Sequence, residues 1–178
     1  MNIAVFLDRD GTINENRGDY VKSFKEFKFL PKALDALRIL SKTNHKIIIV
    51  TNQSPVSRGI MSVESLEDIH SQMMFEIESN GGRVDAVYSC THVPEDGCGC
   101  RKPKTGLLEL AAETFDLDLK RCWLVGDSTK DILCGKNAGC KTILVRTGHG
   151  GADGIYDVRP DHVCDDLLGA SRLIMGEK

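Results

Sequence analysis

No apolar run in the 178-residue sequence approaches the roughly 20 residues that span a bilayer. The N-terminal run, Ile3 to Leu7, meets Asp8 at once and is too short for a secretory h-region, so a cytoplasmic protein is expected. A basic excess is missing too. There are 23 lysines and arginines against 26 aspartates and glutamates, a net charge of −3. The broad positive surface behind non-specific nucleic-acid affinity is therefore absent, and neither nucleic acid nor membrane is an expected partner. Neither a Walker phosphate loop nor a G-x-G-x-x-G occurs, which removes the common nucleotide-binding solutions. Repeats, low-complexity tracts and linkers are absent, and the length suits one domain, residues 1–178, expected as a monomer. A complete disulfide framework is excluded by an odd count of seven cysteines. In a reducing compartment, clustered cysteines point to metal and scattered ones to small buried hydrophobes.

What the sequence does contain is a recurring apolar run followed by a helical pattern. The runs are Ile3–Leu7, Ile47–Val50, Val84–Tyr88, Cys122–Val125 and Thr142–Val145, with a weaker His162–Cys164. They are short and apolar on both faces, as buried parallel strands should be. Pro31 stands where a first helical residue would, ahead of Leu34, Leu37 and Leu40. Ser62 can cap a helix carrying Leu66, Ile69, Met73 and Ile77, with Asn80-Gly81 as its stop. Further helices are expected over 106–115, 129–137 and 165–175. The pattern predicts an α/β fold, a Rossmann-like doubly wound parallel sheet with helices on both faces. Ligands bind such sheets outside the carboxyl ends of the strands.

The residues just after the runs are therefore the ones that can carry chemistry. Asp8 and Asp10 follow the first run, Thr51 and Asn52 the second, and Asp127 the fourth, with Asp131 one helical turn later. Acids converging at one sheet edge make a hard, oxygen-rich site suited to Mg²⁺. Taken singly, Asp10-Gly11-Thr12 could be a turn and Gly126-Asp127-Ser128 a helix cap, but both at one edge make that reading improbable. An ionised carboxylate can attack phosphorus, provided that a metal and fixed donors offset the repulsion between anions. Thr51, Asn52 and Lys102 can supply the donors and the charge. Asp10 can protonate the leaving alkoxide and later deprotonate water. Separately, Cys90-x-His92 followed by Cys98-x-Cys100 offers three thiolates and an imidazole, a closed tetrahedral set for structural Zn²⁺.

Asp8-Arg9-Asp10-Gly11-Thr12-Ile13, Thr51-Asn52-Gln53-Ser54, Arg101-Lys102-Pro103 and Gly126-Asp127 with Asp131 resemble the four motifs of the haloacid dehalogenase superfamily of phosphatases. Among these, the sequence is most similar to the D-glycero-D-manno-heptose-1,7-bisphosphate 7-phosphatase family. The resemblance implies Asp8 as nucleophile and Asp10 as general acid/base, with Thr51 and Lys102 stabilising the phosphoryl group. It implies Mg²⁺ held by Asp8, the carbonyl of Asp10 and Asp127, with Asp131 positioning Lys102. Substrate contacts are implied for Arg9, Asp19, Tyr20, Asn52, Gln53, Ser54, Arg58, Arg101 and Ser128. The cysteine loop is a feature of this family and of the related histidinol-phosphate phosphatases. Arg58-Gly59, the 16–21 loop and Val145–Gly148 favour the small phosphorylated sugar. Two departures stand out: Pro55 where the family usually has glycine, and Ser128 where a lysine can sit. The segments after the first two motifs are too short for a large cap domain. His45, His70 and His162 have no partners in sequence and read as structural, and His149 reads as part of a mobile surface loop. Two non-enzymatic readings remain, a phosphosugar-binding regulator and a zinc-stabilised interaction module. The presence of both Asp10 and Lys102 argues against the first, since a mere receiver needs no general acid two residues from its acceptor. The second leaves Asp8, Thr51 and Asp127 unexplained.

Overall fold

Successive side chains of β1 (Ala4–Leu7) point to opposite faces of a sheet, and both faces are covered. Val5 and Leu7 pack with Ile47 and Ile49 of β2 (Lys46–Asn52), while Ala4 and Phe6 pack with Ile48 and Val50 on the other side. This two-faced burial is why the strands read as continuous apolar runs. The computed structural model describes residues 1–176, so the expected domain limit at residue 178 lies outside the described residues. β3 (Ala86–Cys90), β4 (Trp123–Gly126), β5 (Lys141–Val145) and β6 (His162–Cys164) complete a parallel sheet of order β3-β2-β1-β4-β5-β6.

α1 (Ala33–Leu40), α2 (Val63–Ser79) and α5 (Leu167–Met175) contribute Leu37, Ile69 and Leu167 to one core layer. α3 (Gly106–Phe115) and α4 (Thr129–Ala138) contribute Leu108 and Cys134 to the other. The expected doubly wound sheet is thus the observed one. Ser62 caps α2 as expected, its hydroxyl accepting from the Ser65 amide at 3.1 Å. Pro31 is not the first residue of α1. Lys32 adopts a left-handed φ of 64°, so the helix starts only at Ala33. β3 runs further than the apolar run suggested, because its pairing with β2 continues to Cys90 opposite Asn52. That register sets the start of the cysteine loop beside the end of β2.

β1 lies between β2 and β4, so the chain leaves it in both directions and opens a crevice at its carboxyl end. Segment 8–32 contains one short 3₁₀ turn, Phe24–Glu26, and segment 53–62 contains no helix. No large cap covers the crevice among the described residues. No helix among them is long and apolar enough to cross a membrane.

Candidate active site

The carboxyl ends of β1 and β4 deliver Asp8 and Asp127, and the Asp8 amide donates to the Val125 carbonyl at 2.9 Å. Lys102 is buried among them. Its ammonium lies 2.7 Å from Asp8 Oδ1 and 2.7 Å from Asp131 Oδ1, and donates to the Val50 carbonyl at 2.8 Å. Burial opposes a charge there, yet Asp131 and Asp8 hold the Lys102 pKa above its ordinary value. Asp131 also accepts from the Ser128 hydroxyl at 2.6 Å. Despite burial, Lys102 holds its pKa below the ordinary carboxylate value.

One ammonium among three buried carboxylates leaves a charge deficit. Burial, then Asp8 and Asp131, push Asp127 up to about 8. Burial, then Asp131, also raise Asp8. Oxygens of Asp8, Asp127 and Asp131 approach within 4.8 Å of one another. A hard divalent cation such as Mg²⁺ matches this donor set and its excess negative charge. Both Asp131 oxygens are engaged, by Lys102 and Ser128. Asp8 and Asp127 each have one oxygen engaged, by Lys102 and the His149 amide respectively, and one left to meet a cation.

Space around Asp127 is kept by two glycines with left-handed backbones. A β-carbon on Gly11 (φ +89°) would stand 2.2 Å from Asp127 Oδ2, and one on Gly148 (φ +58°) would stand 2.1 Å from it. Gly148→Ala is therefore expected to displace the Asp127 carboxylate and weaken Mg²⁺ binding by at least about tenfold. A magnesium titration of activity that superimposes on the wild type would contradict this.

Asp10 is gripped from three sides. Its Oδ1 accepts from Arg9 Nη2 and from Asn14 Nδ2, each at 2.9 Å, and its Oδ2 accepts from Gln53 Nε2 at 2.7 Å. Burial works against ionisation, but Arg9 and these donors hold Asp10 below the ordinary carboxylate value. Gln53 Nε2 also donates to Thr51 Oγ1 at 2.8 Å, so the Thr51 hydroxyl proton is free to point elsewhere. Asn52 clasps one residue at both ends: its amide nitrogen donates to the Lys102 carbonyl at 3.2 Å, and its oxygen accepts from the Lys102 amide at 3.1 Å.

Above these residues opens a cleft of about 250 Å³, lined in part by Tyr20, Asn52, Gln53, Ser54, Arg58 and Arg101. Arg9 borders the cleft as expected, but its side chain is 1% exposed and turns inward to donate to Asp10. Two expected substrate contacts lie outside the cleft lining. Asp19 pairs with Arg17 at 3.0 Å and Lys22 at 2.8 Å and does not line the cleft. Ser128, buried at the start of α4, points at Asp131. His149, read as part of a mobile surface loop, instead joins the site. Its amide donates to Asp127 Oδ2 at 2.7 Å, and its ring accepts from Asn16 at 2.9 Å.

The four loop residues converge as the spacing predicts. Sulfur–sulfur distances among Cys90, Cys98 and Cys100 are 3.2, 3.5 and 3.6 Å, and His92 Nδ1 lies 3.3 Å from Cys100 Sγ and 3.6 Å from Cys90 Sγ. Tetrahedral zinc, with bonds of about 2.3 Å to sulfur and 2.0 Å to nitrogen, needs edges of about 3.8 and 3.5 Å. The set fits once its closest sulfurs spread apart by about 0.6 Å.

A family model described as "HAD-hyrolase-like" matches residues 99–170. The D-glycero-beta-D-manno-heptose-1,7-bisphosphate 7-phosphatase of Bordetella bronchiseptica is 37% identical over 175 residues, covering 97% of this chain and 98% of that protein. The chain belongs to the heptose-1,7-bisphosphate 7-phosphatase family of haloacid dehalogenase-like hydrolases. The enzyme of the same name from Haemophilus influenzae is 37% identical, over 93% of this chain and 95% of that protein. The crystal structure of the B. bronchiseptica D,D-heptose 1,7-bisphosphate phosphatase, complexed with magnesium and phosphate, superimposes with a TM-score of 0.91. It is 36% identical and covers 100% of both chains.

The chain is accordingly a phosphatase. Against this family background, the cleft residues not singled out as contacts in the sequence include two cations, Arg17 and Lys130, besides Asn16, Val21 and His149. The signal for Lys130 was present in Gly126-Asp127-Ser128-Thr129-Lys130. A lysine absent at 128 has a counterpart two residues on, in the first turn of α4, and that turn faces the cleft.

Proposed function

We propose that this phosphatase removes the C7 phosphate of D-glycero-D-manno-heptose 1,7-bisphosphate through an aspartyl-phosphate on Asp8. Residues 1–178 would form its single domain, with Mg²⁺ as catalytic and Zn²⁺ as structural metal. The observation that carries this reading is the contrast between an acidic floor and a cationic rim. Asp8 and Asp127 lie at the bottom of the cleft, while Arg17, Arg58, Arg101 and Lys130 surround it. Such a rim matches a substrate with a second phosphate.

An Asp8 oxygen attacks phosphorus as the bond from phosphorus to the C7 oxygen breaks, and Asp10 gives that oxygen its proton. Asp10, now a carboxylate, takes a proton from water as the water oxygen attacks the phosphorus. Phosphate leaves and the Asp8 carboxylate is restored. Held by Asp8, the Asp10 carbonyl and Asp127, Mg²⁺ would offset the repulsion between carboxylate and phosphate. Lys102 would neutralise charge on the transferring oxygens, and the free Thr51 hydroxyl proton would donate to one of them. The substrate-free enzyme keeps Asp10 ionised, and the approach of a phosphate dianion favours its protonated form.

Histidinol phosphate is the main competing substrate. It carries an ammonium group and lacks a second phosphate, so the same cationic rim repels it. The value of kcat/KM is expected to be at least about 100-fold higher for the heptose bisphosphate, the scale of one or two charge-assisted contacts. Phosphate release from the two compounds with Mg²⁺ present tests this. A preference for histidinol phosphate would reverse the assignment, and no turnover of any phosphate ester would favour the binding-regulator reading.

A further inference from the structure

We propose that His70, on α2, is a positioning residue for the acid–base carboxylate Asp10, acting through Arg9. The inference rests on the reading of Asp10 given above. The relay is a continuous chain of two hydrogen bonds through the guanidinium. His70 Nε2 lies 3.1 Å from Arg9 Nη1, and the other terminal nitrogen, Nη2, donates to Asp10 Oδ1 at 2.9 Å. Arg9 is 0% exposed and His70 8% exposed, so water cannot readily replace either partner. The Phe27 ring centroid lies 6.0 Å from Arg9 Cζ. Arg9 Nε has no hydrogen-bond partner among the described residues. Among the described residues, only His70 and Asp10 therefore fix the guanidinium through polar contacts.

The chemistry explains why an imidazole stands there. When Asp10 yields its proton it becomes an anion, and the Arg9 charge stabilises that anion. A carboxylate behind Arg9 would hold it equally well but would cancel the charge. A neutral imidazole accepts the hydrogen bond and leaves the charge directed at Asp10. Burial, then the Arg9 charge, push the His70 pKa down to about 3, so the ring keeps its lone pair at neutral pH. With Nε2 accepting, the ring proton sits on Nδ1. Asp10 Oδ1 is already occupied by Arg9 and Asn14, whereas Oδ2 has Gln53 alone. The relay thereby assigns proton exchange to Oδ2.

The test uses leaving-group dependence. An aryl phosphate such as p-nitrophenyl phosphate leaves as a weakly basic phenolate and needs little protonation, whereas the C7 alkoxide needs a proton. Because kcat/KM covers steps only through phosphorylation of Asp8, it isolates the acid role. As a reference, Asp10→Asn is expected to lower kcat/KM for the sugar phosphate by about 10²–10⁴ and for the aryl ester far less. His70→Leu should lose about tenfold or more on the sugar phosphate and under about threefold on the aryl ester. His70→Gln, whose Oε1 reaches the position of Nε2, should recover most of the loss, while the shorter His70→Asn should not. Should the leucine variant fail to fold, the glutamine–asparagine comparison carries the same information. Equal losses on both esters, or no loss on either, with Asp10→Asn selective, would overturn the relay alone. An unselective Asp10→Asn would overturn the acid assignment and the relay with it.

Discussion

Asp8→Asn should slow phosphate release by about 10⁴-fold or more while melting no lower than the wild type. The kinetic loss follows from nucleophilicity, since an amide oxygen cannot form a stable phosphoryl ester as a carboxylate does. The retained stability follows from charge. Asp8, Asp127 and Asp131 are all buried, and burial, then the Asp131 charge, raise the pKa of Asp8 itself. Removing one negative charge relieves that repulsion, and Lys102 keeps its 2.7 Å pair with Asp131. The asparagine oxygen can still accept from Lys102. A beryllium fluoride complex should form on wild-type Asp8 and not on the variant. Robust hydrolysis by the variant, once deamidation has been excluded by mass spectrometry, would remove Asp8 as the nucleophile.

The second large effect concerns zinc. Protein purified without added metal should contain one zinc per chain, and Cys98→Ser should lose it. A structural zinc site can be worth about 10–16 kcal/mol, comparable with the stability of a whole domain. Even partial loss should lower the melting temperature by about 10 °C. Activity should fall as well, because the loop aims the residues that follow it. Arg101 donates to the His92 carbonyl at 3.1 Å, Lys104 to the Gly97 carbonyl at 2.6 Å, and the Gly106 amide to the Gly99 carbonyl at 3.1 Å. These bonds tie the cation-bearing segment to the ligand loop. The beryllium fluoride adduct on Asp8 should still form in the variant, since Asp8 sits on the sheet. A zinc-free protein with full activity would contradict the assignment.

The parts of the site that were legible in the sequence are those fixed by backbone geometry or by closeness along the chain. Asp8 and Asp127 could be placed because short strands leave little freedom in where they end. Cys90, His92, Cys98 and Cys100 could be grouped because eleven consecutive residues contain them all. What stayed hidden was the direction in which side chains turn. Arg9 and Asp8 are neighbours in sequence, yet Arg9 faces α2 because His70 waits there. Nothing near residue 70 signals that pairing, and His70 read as merely structural. Arg17 lines the cleft and Asp19 does not, a distinction set by a loop that bends at Tyr20 with φ 66°. Ser128 turned inward for an equally local reason, since a hydroxyl at a helix start finds the carboxylate three residues on.

The Lys102–Asp8 pair also orders events while the chain is being made. Its partners are 94 residues apart, so Asp8 leaves the ribosome long before its counter-ion does. Until then, burying the carboxyl end of β1 would strand an unpaired anion in an apolar layer. β4, the second neighbour of β1, is synthesised later still. An N-terminal fragment ending before residue 102 therefore holds β1 and β2 with one sheet edge open and the Asp8 charge uncompensated. Such a nascent chain lacks both Lys102 and Asp127, and so has no route to premature phosphatase activity.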